Sequence, residues 1–297
     1  MFSDVITAFE YYPLSFYITV VIVGLTIGSF LNVVIFRLPK MLEQGWYKEC
    51  REFLADELKD TTEKAKKTES ITLSKPNSTC PHCNHEIRFY ENIPVLSWLM
   101  LKGKCSQCKT AISIRYPIVE SVTALLSLVV ALHYGVAPIT FFVLILTWGL
   151  ICLTMIDFDH MLLPDQFTYP LLWLGLLINI DGLIVPLDQA VIGAVAGYMS
   201  LFSVFWLFKL ITGKEGMGHG DFKLLAVFGA WMGWQLLPLL ILMASAVGAI
   251  IGISLMIFKN HAREQAIPFG PYLAIAGWIC LLWGEGIWQS YLSFIMP

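Results

Sequence analysis

Long apolar runs alternate with short polar stretches along most of the chain, apart from one extended polar block near the N-terminus. The first apolar run, residues 14–36, carries no charged residue and is long enough for an α-helix to cross a bilayer. We predict seven further helices after Arg115, over residues 116–134, 137–156, 167–180, 190–211, 224–237, 239–258 and 269–283. The pattern therefore predicts an all-α polytopic membrane protein with about eight transmembrane helices.

Composition supports this class and excludes an ordinary soluble domain. Hydrophobic residues make up 57% of the chain and charged residues only 14%, whereas soluble domains carry about 25% charged residues. Fourteen of the 19 Lys and Arg residues lie between Arg37 and Arg115. We predict three parts: residues 1–36 with the first transmembrane helix, a polar domain over 37–115, and a second membrane part over 116–297. Residues 43–68 are expected to form a solvated helix, and no nucleic-acid partner is predicted.

The placement of basic residues predicts the orientation of the chain in the membrane. With eight spans and an external N-terminus, all Lys and Arg residues fall on the cytoplasmic side, as the positive-inside rule requires. The same topology places Asp157 and Asp221 together at the cytoplasmic face. The N-terminal stretch contains Asp4 and Glu10 but no basic residue, so it does not resemble a cleavable signal peptide.

Four of the seven cysteines form two C-x2-C pairs in the polar domain. The pairs are separated by a stretch slightly longer than the common zinc template, yet paired knuckles are a specific signal. Four thiolates would close a tetrahedral structural zinc site and leave no open position for catalysis. Disulfides are the alternative, and a cytoplasmic location disfavours them. The predicted zinc ligands are Cys80, Cys83, Cys105 and Cys108, while Cys50, Cys152 and Cys280 are interpreted as packing residues.

Two clusters of carboxylates lie at the ends of apolar runs. Asp157 directly follows one run, and Asp221 follows a glycine-rich stretch in which Gly218 and Gly220 are expected to form a supporting active-site loop. Carboxylates at a membrane edge are costly and call for a function. A pair that shares a proton is suited to acid/base hydrolysis. The alternative is that both aspartates are ordinary helix-end residues in the membrane interface, without a catalytic function.

Three other acidic residues are weaker candidates for chemistry. Asp159 is interpreted as a solvated loop residue, Asp165 as a cap for the following helix, and Glu120 as a further candidate. No G-x-S-x-G nucleophile motif occurs in the chain. The glycines at 216–220 are not a dinucleotide-binding fingerprint because no β-strand is predicted before them.

These motifs together resemble the bifunctional type IV prepilin peptidases of Gram-negative bacteria. The resemblance covers nearly the whole chain and rests on an ordered series of motifs, at residues 28–32, 37–39, 80–83, 91–94, 105–108, 156–157, 163–165, 218–223 and 268–272. It implies that Asp157 and Asp221 are the catalytic aspartates, with Asp157 selected over Asp159 by its distance from Pro164. The second aspartate belongs to a GxGD motif, which is similar in form to that of presenilin-type proteases.

The resemblance also implies two activities and a location. It implies cleavage of a basic leader after a glycine in prepilins and in type II secretion pseudopilins, followed by methylation of the new N-terminus with S-adenosylmethionine. It implies work with the type IV pilus or type II secretion machinery at the bacterial inner membrane. The residues that bind the methyl donor are unknown from the sequence, although Glu91, Asn92, Ser97 and Trp98 are expected to help hold donor or acceptor.

Two readings without proteolysis stay open at this point. One is a membrane scaffold protein whose zinc module binds partners. The other is a transporter in which Asp157 and Asp221 relay protons. A transporter should carry acidic residues near mid-membrane or a repeat in its two halves, and the chain shows neither clearly.

Overall fold

Helices account for nearly all regular secondary structure in the computed structural model, which describes residues 2–54, 71–259 and 267–295. No strand occurs within these ranges, only isolated bridges at Thr79–Glu86 and Lys104–Ala111. A 3-10 helix covers Phe89–Asn92. The α-helices are α1 Phe2–Tyr11, α2 Pro13–Phe53, α3 Leu96–Met100, α4 Arg115–Tyr134, α5 Pro138–His160, α6 Asp165–Ile178, α7 Leu187–Thr212, α8 His219–Met232, α9 Leu237–Lys259 and α10 Gly270–Ile295.

The predicted all-helical membrane class is confirmed, and each of the eight predicted runs overlaps one helix. Within the described ranges, five helices are both long and apolar enough to cross a bilayer: α2, α4, α5, α7 and the Leu237–Ser254 part of α9. Helices α6 and α8 have only 14 residues each. A count of eight transmembrane helices therefore stays a prediction.

Some helix boundaries differ from the sequence prediction for identifiable reasons. Helix α2 continues without a break to Phe53, so the start of the solvated helix predicted over 43–68 is an extension of the first span; residues 55–70 lie outside the described ranges. Helix α8 begins at His219, ahead of the predicted 224–237 run, because Gly218 is extended and precedes it. Gly233, with a φ of 76°, ends it.

The chain forms two compact units, Met1–Leu132 and His133–Pro297. In the first unit, α2 and α4 pack closely through small residues. A Cβ added to Gly24 would lie 2.8 Å from the Ala124 Cα, and one added to Gly28 would lie 2.7 Å from the Glu120 Cα. The Asn32 side-chain amide donates to the Tyr116 carbonyl at 3.1 Å. This bond joins the two helices next to a GxxxG-type helix contact.

In the second unit, α8 is the central helix and packs against α6, α7 and α10. All its residues from Leu224 to Met232 are buried. Gly193 of α7 and Gly229 of α8 touch backbone to backbone, because neither carries a side chain. The amide of Asn179, just beyond α6, donates to the carbonyls of Ala230 and Trp231 at the C-terminal end of α8. The helix that carries Asp221 is therefore fixed along its length.

Candidate active site and metal-binding module

Asp157 and Asp221 come from different helices and line the same cavity of about 620 Å³. Asp157 lies in the last turn of α5, which ends where Met161 adopts a left-handed φ of 51°. Asp221 lies in the first turn of α8. Both aspartates are buried, at 5% and 6% exposure. The two carboxylates predicted from sequence to act together therefore meet in one cavity.

One oxygen of this pair lacks a partner. Among the residues the structure describes, Asp157 Oδ2 is the buried side-chain oxygen or nitrogen without a hydrogen bond. Burying a polar atom without a partner costs free energy and calls for an explanation. Because no other protein group bonds this oxygen, it is free to hold the proton that acid/base catalysis requires.

Two glycines let the backbone pack closely against Asp157 and Leu163. A Cβ added to Gly270, at the start of α10, would lie 2.6 Å from Asp157 Oδ2. A Cβ added to Gly220 would lie 2.7 Å from the Leu163 Cβ, and Leu163 Cδ1 would also lie 3.1 Å from a Cβ at Gly270. Leu163 therefore fills the space between the starts of α8 and α10. This contact was not predicted from the sequence, because it joins three segments that are distant in the chain.

The structure separates the roles of the two glycines that were predicted to form an active-site loop. Gly218 does precede α8, and a Cβ there would lie 3.7 Å from Asp221 Oδ2. Gly220 instead lies inside the first turn of α8, so it belongs to the helix. The missing side chain at Gly220 leaves room for Leu163.

The prediction that Asp165 caps α6 is wrong. Pro164 occupies the N-cap position, and no side-chain cap hydrogen bond is formed there. Asp165 instead accepts from Lys223 Nζ at 2.6 Å, and the same ammonium lies over the ring of Tyr169. The ion pair links the first turns of α6 and α8, close to Asp221. Rules for local capping missed this charge-assisted hydrogen bond because the ammonium comes from another helix, 58 residues further along the chain.

The other weak candidates do not join the cavity. Asp159 is exposed on the last turn of α5. Glu120 is buried in the first unit, where its carboxylate accepts from the Val95 N–H at 2.7 Å. His219 packs against the rings of Phe205 and Phe222. Besides the two aspartates, Glu215 and Ser245, the cavity is lined by glycine backbone and by apolar side chains, including Met161, Met217, Ile267, Phe269 and Tyr272.

The four predicted metal ligands converge as two nearly identical knuckles. Their Sγ atoms all lie within 4.8 Å of one another. The Cys80–Cys108 and Cys83–Cys105 sulfur distances are 3.7 and 4.0 Å, and tetrahedral zinc with Zn–S bonds of about 2.3 Å needs sulfurs about 3.8 Å apart. The cysteines are free thiols and not disulfides. The donor set and its spacing therefore fit a tetrahedral metal ion of the zinc type.

Each knuckle repeats the same backbone geometry. The N–H of the residue after the second cysteine donates to the first cysteine carbonyl, from Asn84 to Cys80 and from Lys109 to Cys105. Asn84 and Lys109 both have a positive φ, near 56° and 60°. An antiparallel bridge closes each knuckle. Two equal half-sites built this way present their sulfurs to a common centre.

Glu91 and Trp98 stabilise the segment that carries the four cysteines, residues 80–108, which we call the metal module. Glu91 accepts from the Arg88 N–H at 2.9 Å and bonds His85 at 3.1 Å. Hydrogen bonds from Ser106, the Arg88 N–H and His85 lower the pKa of Glu91 to about 2. Trp98 Nε1 donates to the Ile112 carbonyl, and the indole packs on Gly103. Of the residues expected to help hold donor or acceptor, these two have structural contacts, whereas Asn92 is exposed.

A helical membrane bundle with two buried aspartates at one cavity has the architecture of a membrane aspartic peptidase. Comparison with known proteins leads to the same class. The profile of the type IV leader peptidase family matches residues 144–253, and that of the bacterial peptidase A24 N-terminal domain matches residues 22–134. The chain belongs to the type IV leader peptidase family.

Similar proteins cover nearly the full chain. A prepilin leader peptidase/N-methyltransferase of Pseudomonas aeruginosa is 56% identical over 95% of this chain and 96% of its own length. Proteins of the same name from Aeromonas salmonicida and Legionella pneumophila are 56% and 43% identical, each over 96% of this chain. No solved structure gives a significant match.

Proposed function

We propose that the protein cleaves the leader peptides of prepilins and then methylates the new N-terminus, with Asp157 and Asp221 as its catalytic pair. The observation that carries this proposal is that two buried aspartates from separate helices line one cavity in a member of the leader peptidase family. The relatives over the full chain are named for both activities. Type II secretion pseudopilins, which have similar leaders, are included in the proposed substrates.

The proposed hydrolysis uses the two carboxylates as one unit. One aspartate, ionised, removes a proton from water, and the oxygen of that water bonds to the scissile carbonyl carbon. The other aspartate, protonated, donates its proton to the carbonyl oxygen and the pair then protonates the leaving amine as the C–N bond breaks. The roles belong to the pair because the titrations of interacting carboxylates are coupled.

The cavity suits a substrate that changes from polar to apolar. Its lining combines Glu215 and the backbone of Gly216 and Gly218 with the rings of Phe269 and Tyr272. A prepilin has a basic leader followed by an apolar helix, and cleavage after a glycine falls at that boundary. We propose that the apolar wall receives the start of this helix and that the carboxylates face the scissile bond.

The proposed methylation belongs to the first unit and its metal module. S-adenosylmethionine supplies an electrophilic methyl group, and the α-amine must be neutral to accept it. Zinc held by Cys80, Cys83, Cys105 and Cys108 would have a structural function, because four thiolates saturate it. The exposed side chain of Asn92 is the candidate of this module for contact with donor or acceptor.

The finer topology is part of the same proposal. We place the protein in the bacterial inner membrane with a periplasmic N-terminus and eight spans, since this arrangement puts the basic residues on the cytoplasmic side. The active site then faces the cytoplasm, where leader and methyl donor are available. The partners would be the type IV pilus or type II secretion machinery.

Mass spectrometry of one reaction tests both activities. The purified full-length protein is incubated with a prepilin peptide that contains the leader and the first apolar residues, with and without S-adenosylmethionine. We expect cleavage after the leader glycine in both samples and one added methyl group only when the donor is present. An intact peptide in both samples would favour the scaffold or transporter reading, and cleavage without methylation would remove the second activity.

A further inference from the structure

An exposed apolar surface lies between the two knuckles of the metal module. We call it the apolar ridge; its side chains are Phe89, Tyr90, Ile93, Leu96, Leu99 and Met100. Phe89 and Met100 are the most exposed, at 87% and 82%. A contiguous set of large apolar side chains this exposed marks an interaction surface.

The backbone of the ridge is tied to a transmembrane helix. The Val95 N–H donates to Glu120 Oε2 at 2.7 Å, and Glu120 is buried within α4. Val95 holds an unusual positive φ of 60° at the start of the short helix α3. An aliphatic residue adopts this conformation only when the surrounding structure fixes it. The ridge is therefore anchored at the level of Glu120.

That level lies inside the first membrane span. Glu120 packs against Gly28 of α2, where an added Cβ would lie 2.7 Å from the Glu120 Cα. Gly28 belongs to the uncharged run 14–36 and precedes Arg37, the first charge that follows it, by roughly 13 Å of helix axis. Glu120 likewise lies about 7 Å beyond Arg115 along α4. The hydrocarbon half of a bilayer is about 15 Å thick.

We propose that the apolar ridge inserts into the bilayer leaflet beside α2 and α4, so that its partner is lipid. Side chains held at this depth and left uncovered by protein would face acyl chains or the lower headgroup region. Burial there is favourable in proportion to the apolar surface removed from water. The metal module is then a membrane-inserted element and not a freely solvated domain.

The charges around the ridge fit this occupant. Arg88 precedes it, Lys102 and Lys104 follow it, and all three are exposed. Basic and aromatic residues that border an apolar face are typical of segments that lie in a membrane interface with anionic headgroups. A second copy of this chain or a protein partner would be an alternative occupant, and the test separates these outcomes.

Photocrosslinking in native membranes identifies the occupant. The full-length chain is made with a photoreactive benzoylphenylalanine at Leu99 or at Met100, or at Gln107 as the matched control, which is exposed on the second knuckle. After irradiation, adducts are identified by mass spectrometry. We expect phospholipid adducts at positions 99 and 100 in several-fold higher yield than at 107. Equal lipid yields at all three positions, or adducts mainly to protein at 99 and 100, would overturn the proposal.

A measurement without substitution protects the test against misfolding of a labelled variant. The unmodified protein in nanodiscs is exposed to hydroxyl radicals, and oxidation of Met100 is compared with that in the denatured chain. Tyr47, exposed on the extension of α2 beyond the uncharged run, is the internal control. We expect Met100 to be protected and Tyr47 to be reactive. Met100 oxidised at the rate of the denatured chain would contradict insertion.

Discussion

The position of the Asp157 carboxylate depends on a neighbouring glycine, which has no side chain. Gly270 lets the start of α10 approach the carboxylate so closely that an added Cβ would lie 2.6 Å from Oδ2. Contacts under 3 Å between carbon and oxygen force something to move. The nearest atom is the end of the Asp157 side chain, so we expect the carboxylate to shift. Gly270 is therefore a positioning residue for Asp157.

Replacing Gly270 tests this role. We expect Gly270→Ala to lower kcat for cleavage by about a hundredfold, as displacement of a catalytic group by about 1 Å does. KM should change little, since the cavity wall stays in place. Gly286→Ala, in the same helix with open space around it, is the control and should retain normal cleavage. Equal activity of both variants would show that Gly270 does not position the carboxylate.

For single residues, the sequence predicts candidate functional groups better than it predicts tertiary contacts. That Asp157 and Asp221 come together could be predicted, because a carboxylate at the edge of an apolar run is costly and the predicted topology puts both on one membrane face. The role of Leu163 could not be predicted, because its sequence context does not distinguish it from other leucines. Its contacts exist only once α8 and α10 are folded around it. Asp165 followed the local pattern of a helix cap, yet its carboxylate is taken by Lys223 from another helix.

Helix α8 packs tightly against α7 because glycines at the contact let the two backbones touch. Gly193 and Gly229 pack backbone against backbone. A methyl group at either position has no room, and both neighbours are backbone atoms that side-chain rotation cannot move. The helix that carries Asp221 therefore depends on this contact for its position.

A stability measurement checks the contact. We expect Gly229→Ala to destabilise the protein by roughly 1–3 kcal/mol, in the range of core overpacking, measured as a lower melting temperature in detergent. Gly252→Ala in α9 is the control, because its added methyl would meet nothing closer than Ile267 at 3.6 Å. Alanine is the better helix former, so this control should be neutral or slightly stabilising. Equal melting temperatures for Gly229→Ala and the wild type would contradict the packing account.

The metal module is the element that the sequence predicted most completely. Its paired C-x2-C spacing already defined the ligands, since backbone geometry brings two knuckles together around one ion. The sequence did not predict that Glu91 and Trp98 would make hydrogen bonds that stabilise the module. Their partners, His85 and the Ile112 carbonyl, become neighbours only after the two knuckles have closed.

Removing one ligand tests the metal assignment. We expect about one zinc ion per chain in the wild type, and loss of that ion in Cys105→Ser, whose sulfur is buried in the cluster. Elemental analysis of the purified protein measures both. Cys152→Ser is the matched control, because Cys152 is buried in α5 and is not one of the four clustered cysteines, and its zinc content should be unchanged. A metal-free wild type with methylation activity would sink the assignment.

At the scale of the whole molecule, the two units carry different parts of the proposed chemistry. The aspartates and their cavity lie within His133–Pro297, while the metal module lies within Met1–Leu132. The apolar pattern predicted the helices of both units. It did not predict a division after Leu132, since that depends on which helices pack together and not on hydropathy.

This division predicts that the two activities are separable. We expect Asn92→Ala to reduce methylation while cleavage of the same peptide stays near normal, because Asn92 is exposed on the module that carries the metal ligands. Gln107→Ala, also exposed on the module, is the control and should affect neither activity. Parallel loss of cleavage and methylation in Asn92→Ala would show that the module is required for both steps.

The central claim is that Asp157 and Asp221 form one catalytic pair, and cleavage by their asparagine variants tests it most directly. Asp157→Asn, Asp221→Asn and the exposed control Asp159→Asn are purified in detergent, and cleavage of a prepilin peptide is followed by mass spectrometry. Asparagine keeps the shape of aspartate but cannot carry the proton. The account predicts no measurable cleavage by the first two variants, with intact folding, and substantial cleavage by Asp159→Asn. Near-normal cleavage by Asp157→Asn or by Asp221→Asn would contradict it.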